Sequence, residues 1–376
     1  MTDWPQWRGP NRNGVSPEKG LRTQWPANGP RRAWAANVGQ GFSSVAVNGG
    51  RLYTMGNTGG QDVVTCLQAA TGKGVWRHRY PAGAGDYGGP RATPTVHENN
   101  VYTLSRDGLA FCLNAASGKV VWRRDIARET GARSPGWGFA GSPLIQGSLV
   151  LYNIGASGAA LDKKTGRIVW TSGSGLAVYA SPVPFTAGGR SGVAVFVAEG
   201  IVAVDPANGR RLWQHPWRTS FDVNAADPIF AGDTVFISSN YGKGGALLRI
   251  GAGNRPSVVW ESREMRNHFN SCVLVGGALY GNDENTLKCV DLGTGEERWR
   301  RRGMGKGGLI AAVDKLIVLT ERGQLSLLAA TPARFTELAS AKVMDGVCWT
   351  HPVLANGLLY CRSHEGTLVC LDLRAK

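Results

Sequence analysis

Apolar and polar positions alternate in short runs along this chain, and the runs come in pairs. Ser44 to Tyr53 reads as an apolar strand, a tight Asn-Gly-Gly turn and a second apolar strand. The same phrase returns at Thr93 to Tyr102, Ser142 to Tyr152, Ser181 to Phe196, Asp227 to Phe236, Ser271 to Tyr280, Leu309 to Val318 and His351 to Tyr360. Alternation with period two, broken by Gly and Asn, predicts β-hairpins. No long window carries an apolar stripe at helical spacing, so the chain reads as all-β.

A second phrase follows each of the first. Tryptophan recurs at Trp34, Trp76, Trp122, Trp170, Trp213, Trp260 and Trp299, at intervals of 39 to 48 residues. Most are preceded by a turn of the type Thr71-Gly72-Lys73-Gly74-Val75-Trp76. An apolar strand ends at Asp or Asn, glycine supplies a positive φ, and the next strand closes on a large aromatic. Two hairpins per repeat make a four-stranded antiparallel blade, the unit of a β-propeller.

Eight copies predict an eight-bladed β-propeller. The last copy, His351 to Leu373, supplies three strands, and the segment Pro30 to Val38 carries an orphan closing strand with Trp34. The N-terminal strand is therefore expected to complete the C-terminal blade and close the ring. The seventh blade, Lys306 to Lys342, is degenerate, with Phe335 and Leu338 where tryptophan is expected. Residues 1–376 are read as one propeller domain with blades over 30–376. Residues 1–29, with Trp4, Trp7 and Trp25, are read as an extended segment packed on the propeller wall.

Composition agrees with short strands and tight turns: 53 glycines, 13 tryptophans and 18% charged residues. The formal net charge of +15 implies attraction to anions, whether small molecules, polysaccharide, nucleic acid or lipid. The arginines are scattered beside the closing tryptophans, and no nucleic-acid motif accompanies them. No apolar run is long enough for a membrane-spanning helix. Met1-Thr2-Asp3 runs straight into Trp4-Pro5 without a signal peptide, so the sequence as it stands reads as cytoplasmic. Of seven cysteines, Cys66, Cys112, Cys289 and Cys370 hold equivalent places in different repeats, too far apart to bridge, and are expected to be buried thiols.

In a propeller the innermost strands line a central channel, and the residues that open them encircle one mouth. Here those residues are Phe42, Ser43, Arg91, Trp137, Tyr179, Asn224, His268, Lys306, Trp349 and His351. This ring of aromatic, cationic and amide side chains suits an anionic or sugar-like small molecule, or an acidic peptide segment of a partner. The competing roles are inter-blade packing for Trp137, Tyr179 and Trp349, and structural hydrogen bonding for the histidines. Other motifs are missing: Asn240 to Gly245 lacks the helix of a phosphate loop, and the six histidines are dispersed.

The Gly-Lys-x-x-Trp repeats resemble those of pyrroloquinoline-quinone-like (PQQ-like) propellers, a family that includes quinoprotein dehydrogenases and an outer-membrane assembly lipoprotein. The opening Asp3-Trp4-Pro5-Gln6-Trp7-Arg8-Gly9-Pro10-Asn11-Arg12-Asn13-Gly14 resembles the start of PQQ-like repeat proteins of planctomycete-type bacteria, as do Trp137 to Pro143 and Asn267-His268. The resemblance implies an extracytoplasmic setting with a leader removed. It also implies, as one alternative, a PQQ- and calcium-dependent oxidoreductase. That alternative calls for a disulfide between adjacent cysteines and a calcium site. No two cysteines are adjacent, and Asp227, Asp283 and Glu284 have no metal-binding spacing. The expectation is a monomeric binding or scaffolding propeller, without sequence-specific nucleic-acid recognition.

Overall fold

The computed structural model describes every residue except Met1, Ala84 and Lys376. It is an eight-bladed propeller, each blade a four-stranded antiparallel sheet. In the first blade the strands, from the channel outwards, are Ala46–Asn48, Arg51–Thr58, Gln61–Gln68 and Gly74–Pro81. The last blade combines Val353–Ala355, Leu358–Arg362 and Thr367–Asp372 with Arg31–Asn37 from the N-terminal region. The ring is thus closed by the N-terminal strand. Blade 7 carries a fifth strand, Val15–Ser16, running parallel to its innermost strand Gly308–Ala312.

The Gly-x-x-x-Trp motif is a latch between neighbouring blades. A bulge just before the tryptophan, as between Arg32 and Trp34 or between Val120 and Trp122, turns the indole towards the next blade. There it lies flat on the motif glycine. A Cβ added at Gly72 would sit 2.7 Å from the Trp34 ring, and one at Gly118 2.6 Å from Trp76. The same turns hold φ of +71° and +72°, so glycine is required twice over. The indole Nε1 then donates to a carbonyl of that next blade: Trp34 to Ala69 (2.9 Å), Trp76 to Ala115 (3.0 Å), Trp122 to Lys163 (3.0 Å). Tyr360, Tyr53 and Tyr102 donate to the same three carbonyls. Each of these tyrosine–tryptophan pairs therefore forms a two-pronged grip on one oxygen.

Blade 7 lacks the latch, since Ala339 pairs with Leu327 in the tryptophan register. Phe335 instead packs edge-on against Trp299 of blade 6, with centroids 5.6 Å apart. The N-terminal chain covers the gap, where a Cβ at Gly29 would lie 2.9 Å from Ala341. All seven cysteines are buried and unpaired, and burial pushes the Cys66 and Cys112 thiols up to about 11 and about 12. Among the described residues no helix is long and apolar enough to cross a membrane.

A polar belt circles the channel where the innermost strands begin. The Ser44 N–H donates to Thr93 Oγ1, Thr93 N–H to Ser142 Oγ, and Ser142 N–H to Ser181 Oγ, at 2.9–3.0 Å. The Ser181 N–H donates to Asp227 Oδ1 and the Asp227 N–H to Ser271 Oγ, both at 2.8 Å. Blades 2 to 6 each thereby satisfy a backbone donor of the preceding blade, and Asp227 is the one carboxylate among these hydroxyls. The last seam, between blades 8 and 1, is held by Arg362. This fully buried guanidinium donates to the Ser43, Met55 and Gly39 carbonyls and to Thr54 Oγ1. Burial lowers its pKa to about 9.

Candidate functional site: an aromatic cup over a plugged channel

The N-terminal segment departs from expectation. Residues 17–29 cross from the inner hairpin turn of blade 8, where Glu18 accepts from the Asn356 and Gly357 N–H groups, past Arg374, which Leu21 bridges, to the outermost strand of blade 7, where Gly29 meets Ala341. Residues 3–16 instead enter the channel from the side of the inner hairpin turns. Trp4 exchanges backbone hydrogen bonds with Val47 of blade 1, and the Pro5 carbonyl accepts from Val96 of blade 2. Arg12 donates to the Ser142 and Pro143 carbonyls of blade 3, and Arg8 to the Cys272 carbonyl of blade 6. Gly14 accepts from Ala311 of blade 7. The reason is chemical: the belt leaves one carboxylate, Asp227, facing the axis, and Trp7 Nε1 donates to its Oδ2 at 2.6 Å.

The buried charges follow from this plug. Arg8 lies 3.9 Å from Asp227 with both side chains about 2% exposed. Burial lowers both guanidinium pKa values, Arg12 to about 10. Burial also pushes the Asp227 carboxyl up, against the pull of Arg8, Arg12, the Ser181 N–H and Trp7. His351 packs edge-on to Trp7, centroids 5.1 Å apart. Its Nδ1 faces the Leu309 carbonyl at 2.9 Å, which fixes the proton on Nδ1. Burial and Arg8 depress its pKa to about 3.

Above Trp7 the channel opens as a blind cup of about 320 Å3. Seven of the ten residues read from the sequence line it: Phe42, Arg91, Trp137, Tyr179, His268, Lys306 and Trp349. Three do not. Ser43 is fully buried and its hydroxyl bonds to Ser44 and Met55 within blade 1. Asn224 is fully buried and ties the Val197 and Trp217 carbonyls to Ser239. His351 belongs to the belt level beneath the tryptophan floor. For Ser43 and Asn224 one step along the chain turns the side chain from the axis into a seam, whereas His351 is covered by Trp7.

The lining also includes Trp7, Tyr87, Tyr241 and Phe269, which the repeat register does not reveal. Phe269 follows His268, and Tyr241 sits in the turn between the second and third strands of blade 5. Every such turn faces this mouth, and that was the available clue. Tyr87 and Tyr241 hold φ of +51° and +57°, as does the neighbouring Phe221 at +65°. Among the described residues the three aromatic side chains on a positive-φ backbone all stand on this rim.

The aromatic rings form one continuous wall. His364 stacks on Phe42 (4.3 Å), Phe42 on Trp349 (5.7 Å), and Trp349 meets Phe269 (4.8 Å). Phe269 then meets His268 (4.9 Å), which meets Tyr241 (5.2 Å), which meets Phe221 (5.4 Å). Within this wall Lys306 Nζ lies 3.0 Å from His268 Nδ1, and His268 Nε2 lies 3.0 Å from the Tyr241 hydroxyl. Burial and then Lys306 lower the His268 pKa to about 4. The neutral imidazole accepts from the ammonium and donates to the Tyr241 oxygen, leaving that O–H aimed outwards.

Across the mouth, Arg91 lies over Phe42 at 5.6 Å and donates to the carbonyls of Asp86, Tyr87 and Gly89. Burial and then Arg106 lower its pKa to about 10. Among the described residues neither Arg91 nor Lys306 makes an ion pair with a carboxylate, and no group of three His, Cys, Asp or Glu is placed to hold a metal. The cup is therefore cationic, aromatic and closed at its base.

Comparison with known proteins places this geometry. No significant match to a curated protein is found by sequence. BamB from Moraxella catarrhalis superposes with a TM-score of 0.69 at 17% identity, over 92% of this chain and 98% of that one. A europium-containing methanol dehydrogenase gives 0.72 at 14%, over 96% and 89%. The quinohemoprotein alcohol dehydrogenase from Comamonas testosteroni gives 0.69 at 14%, over 100% and 81%. These likenesses establish the fold. A family model described as outer membrane protein assembly factor BamB matches residues 62–301. With more than half of its length matched, the chain belongs to that family of PQQ-like propellers.

Proposed function

We propose that this protein is a binding propeller whose cup takes a compact anionic ring, such as a carboxylated sugar or an aromatic acid, or the acidic tip of a partner's chain. The observation that carries this reading is the pair of cations without carboxylate partners, Arg91 and Lys306, set in a wall of stacked rings. Cations desolvated among aromatics and lacking a counter-charge attract an anion that can also stack. The blind floor limits the ligand to what about 320 Å3 admits. A partner's acidic segment accords with the assembly-factor family, and an extracytoplasmic setting goes with it.

Quinone-dependent oxidoreduction is the other reading. The rings and cations suit a planar polycarboxylate such as PQQ. A calcium beside it is not supported, because among the described residues Asp227 is the one carboxylate lining the cup and both its oxygens are engaged by Trp7 and Ser181. The residues present therefore do not fit a metal-assisted quinone.

The test is a thermal-shift screen with uronic acids, aromatic acids, acidic peptides, and PQQ with and without calcium. A ligand bound by the native state alone raises Tm by mass action. A shift with an acidic ligand, lost in Lys306→Ala and Arg91→Ala, is expected. A calcium-dependent shift with PQQ would overturn the reading, as would a shift indifferent to both substitutions.

A further inference from the structure

The large exposed hydrophobic side chains fall at the two ends of the propeller. Tyr87, Phe221 and Tyr241 ring the cup, whereas Val75, Val121, Val169, Val259 and Leu338 lie on outermost strands. Each of those strands begins at the face opposite the cup, in the turn that precedes the closing tryptophan. In the same turns stand Lys73, Lys119, Arg167, Arg210, Arg255 and Arg334, all exposed, one each in blades 1, 2, 3, 4, 5 and 7. None makes an ion pair within 4.0 Å among the described residues. In blade 6 the corresponding turn position is a carboxylate, Glu296, and the nearby Arg298 is paired with Asp291; in blade 8 the corresponding Arg31 is paired with Asp372. Asp162 and Asp205, the turn carboxylates of blades 3 and 4, accept hydrogen bonds from their own turn N–H groups.

We propose that this basal rim docks the propeller onto an anionic lipid surface, with the cup directed away from it. Equivalent turns of successive blades lie at one level, so the six cations describe a ring rather than a stripe. A flat sheet of phosphate headgroups meets such a ring all round, whereas a linear polyanion meets only an arc. Next to cations stand aliphatic side chains (Lys73 with Val75, Lys119 with Val121, Arg167 with Val169), at the depth where they would enter the headgroup boundary. The overall charge of +15 adds long-range attraction to the same surface. The inference is independent of what fills the cup.

The full chain would be sedimented with phosphatidylcholine vesicles, and with vesicles containing roughly a third phosphatidylglycerol, at low and high salt. Binding to the anionic vesicles alone, weakened by salt, is expected. The sextuple variant Lys73→Gln, Lys119→Gln, Arg167→Gln, Arg210→Gln, Arg255→Gln and Arg334→Gln should bind at least about tenfold more weakly. A triple control at exposed cations outside that ring, Arg128→Gln, Arg263→Gln and Arg302→Gln, should bind as the parent does. If the sextuple variant fails to fold, Lys73→Gln with Lys119→Gln and Arg255→Gln carries the test. No binding to anionic vesicles, equal losses in basal and control variants, or retention on heparin without vesicle binding would each overturn the proposal.

Discussion

Trp7 and Asp227 stand 220 positions apart in the chain, yet the indole Nε1 of one lies 2.6 Å from the carboxylate Oδ2 of the other. This contact converts an open channel into a cup with a floor. The other carboxylate oxygen belongs to the belt that links successive blades, so plug and ring share one residue. Asp227→Asn keeps the shape but leaves two buried guanidiniums without a counter-charge. It should lower stability by about 2–4 kcal/mol, and Trp7→Phe by about 1–2 kcal/mol. Urea unfolding measures both, and an Asp227→Asn midpoint equal to the parent's would show that the plug is not anchored electrostatically.

Arg362 serves the closing seam in the same spirit. Its acceptors are carbonyls and a hydroxyl of blade 1 and the preceding strand, all buried. Arg362→Ala strands them without donors, and a loss of about 3–5 kcal/mol is expected. Arg362→Lys, with a single donor head, should recover only part of it. Equal stability of parent and Arg362→Ala would mean that water replaces the guanidinium at no cost.

The latch yields a prediction that separates sterics from backbone strain. Gly72 and Gly49 both hold positive φ, +71° and +57°. A Cβ at Gly72 strikes the Trp34 ring at 2.7 Å, whereas at Gly49 it meets nothing within 4 Å. Gly49→Ala should cost about 1 kcal/mol and Gly72→Ala about 1–3 kcal/mol more. Chemical denaturation of the two variants decides it, since matching losses would remove the indole contact from the account.

The pH dependence of stability follows from His351, held neutral with a pKa depressed from 6.5 to about 3. Below about pH 6.5 the unfolded chain takes up a proton that the folded chain refuses. Stability is therefore full above that pH and falls as pH drops towards about 3. Between pH 7 and 4.5 the contribution is about 2–3 kcal/mol. His351→Gln retains a donor for the Leu309 carbonyl and should flatten the slope in that window. An unchanged slope in urea titrations at pH 7, 5.5 and 4.5 would assign the effect elsewhere.

The amount legible beforehand depends on how local each feature is. Phe42, Arg91, Trp137, Tyr179, His268, Lys306 and Trp349 line one cup because each opens a repeat, and symmetry carries repeat openings to one mouth. Ser43 and Asn224 lie outside the cup because a single step along the chain exchanges axis for seam, and His351 because Trp7 covers it. Tyr87 and Tyr241 were missed because their left-handed backbone is imposed by the rim rather than signalled by glycine.

The sequence by itself determined the blade, the count of eight and the closing strand. These rest on interactions within one repeat or between a motif and its neighbour, such as Trp34 on Gly72, and recurrence makes them visible. Tertiary structure alone decided that Trp7 forms a floor, that Asp227 anchors it, and that the unpaired cations gather at two opposite rims. Those relations join residues from different repeats across the ring axis. No local spacing records them, because what brings them together is closure of the ring.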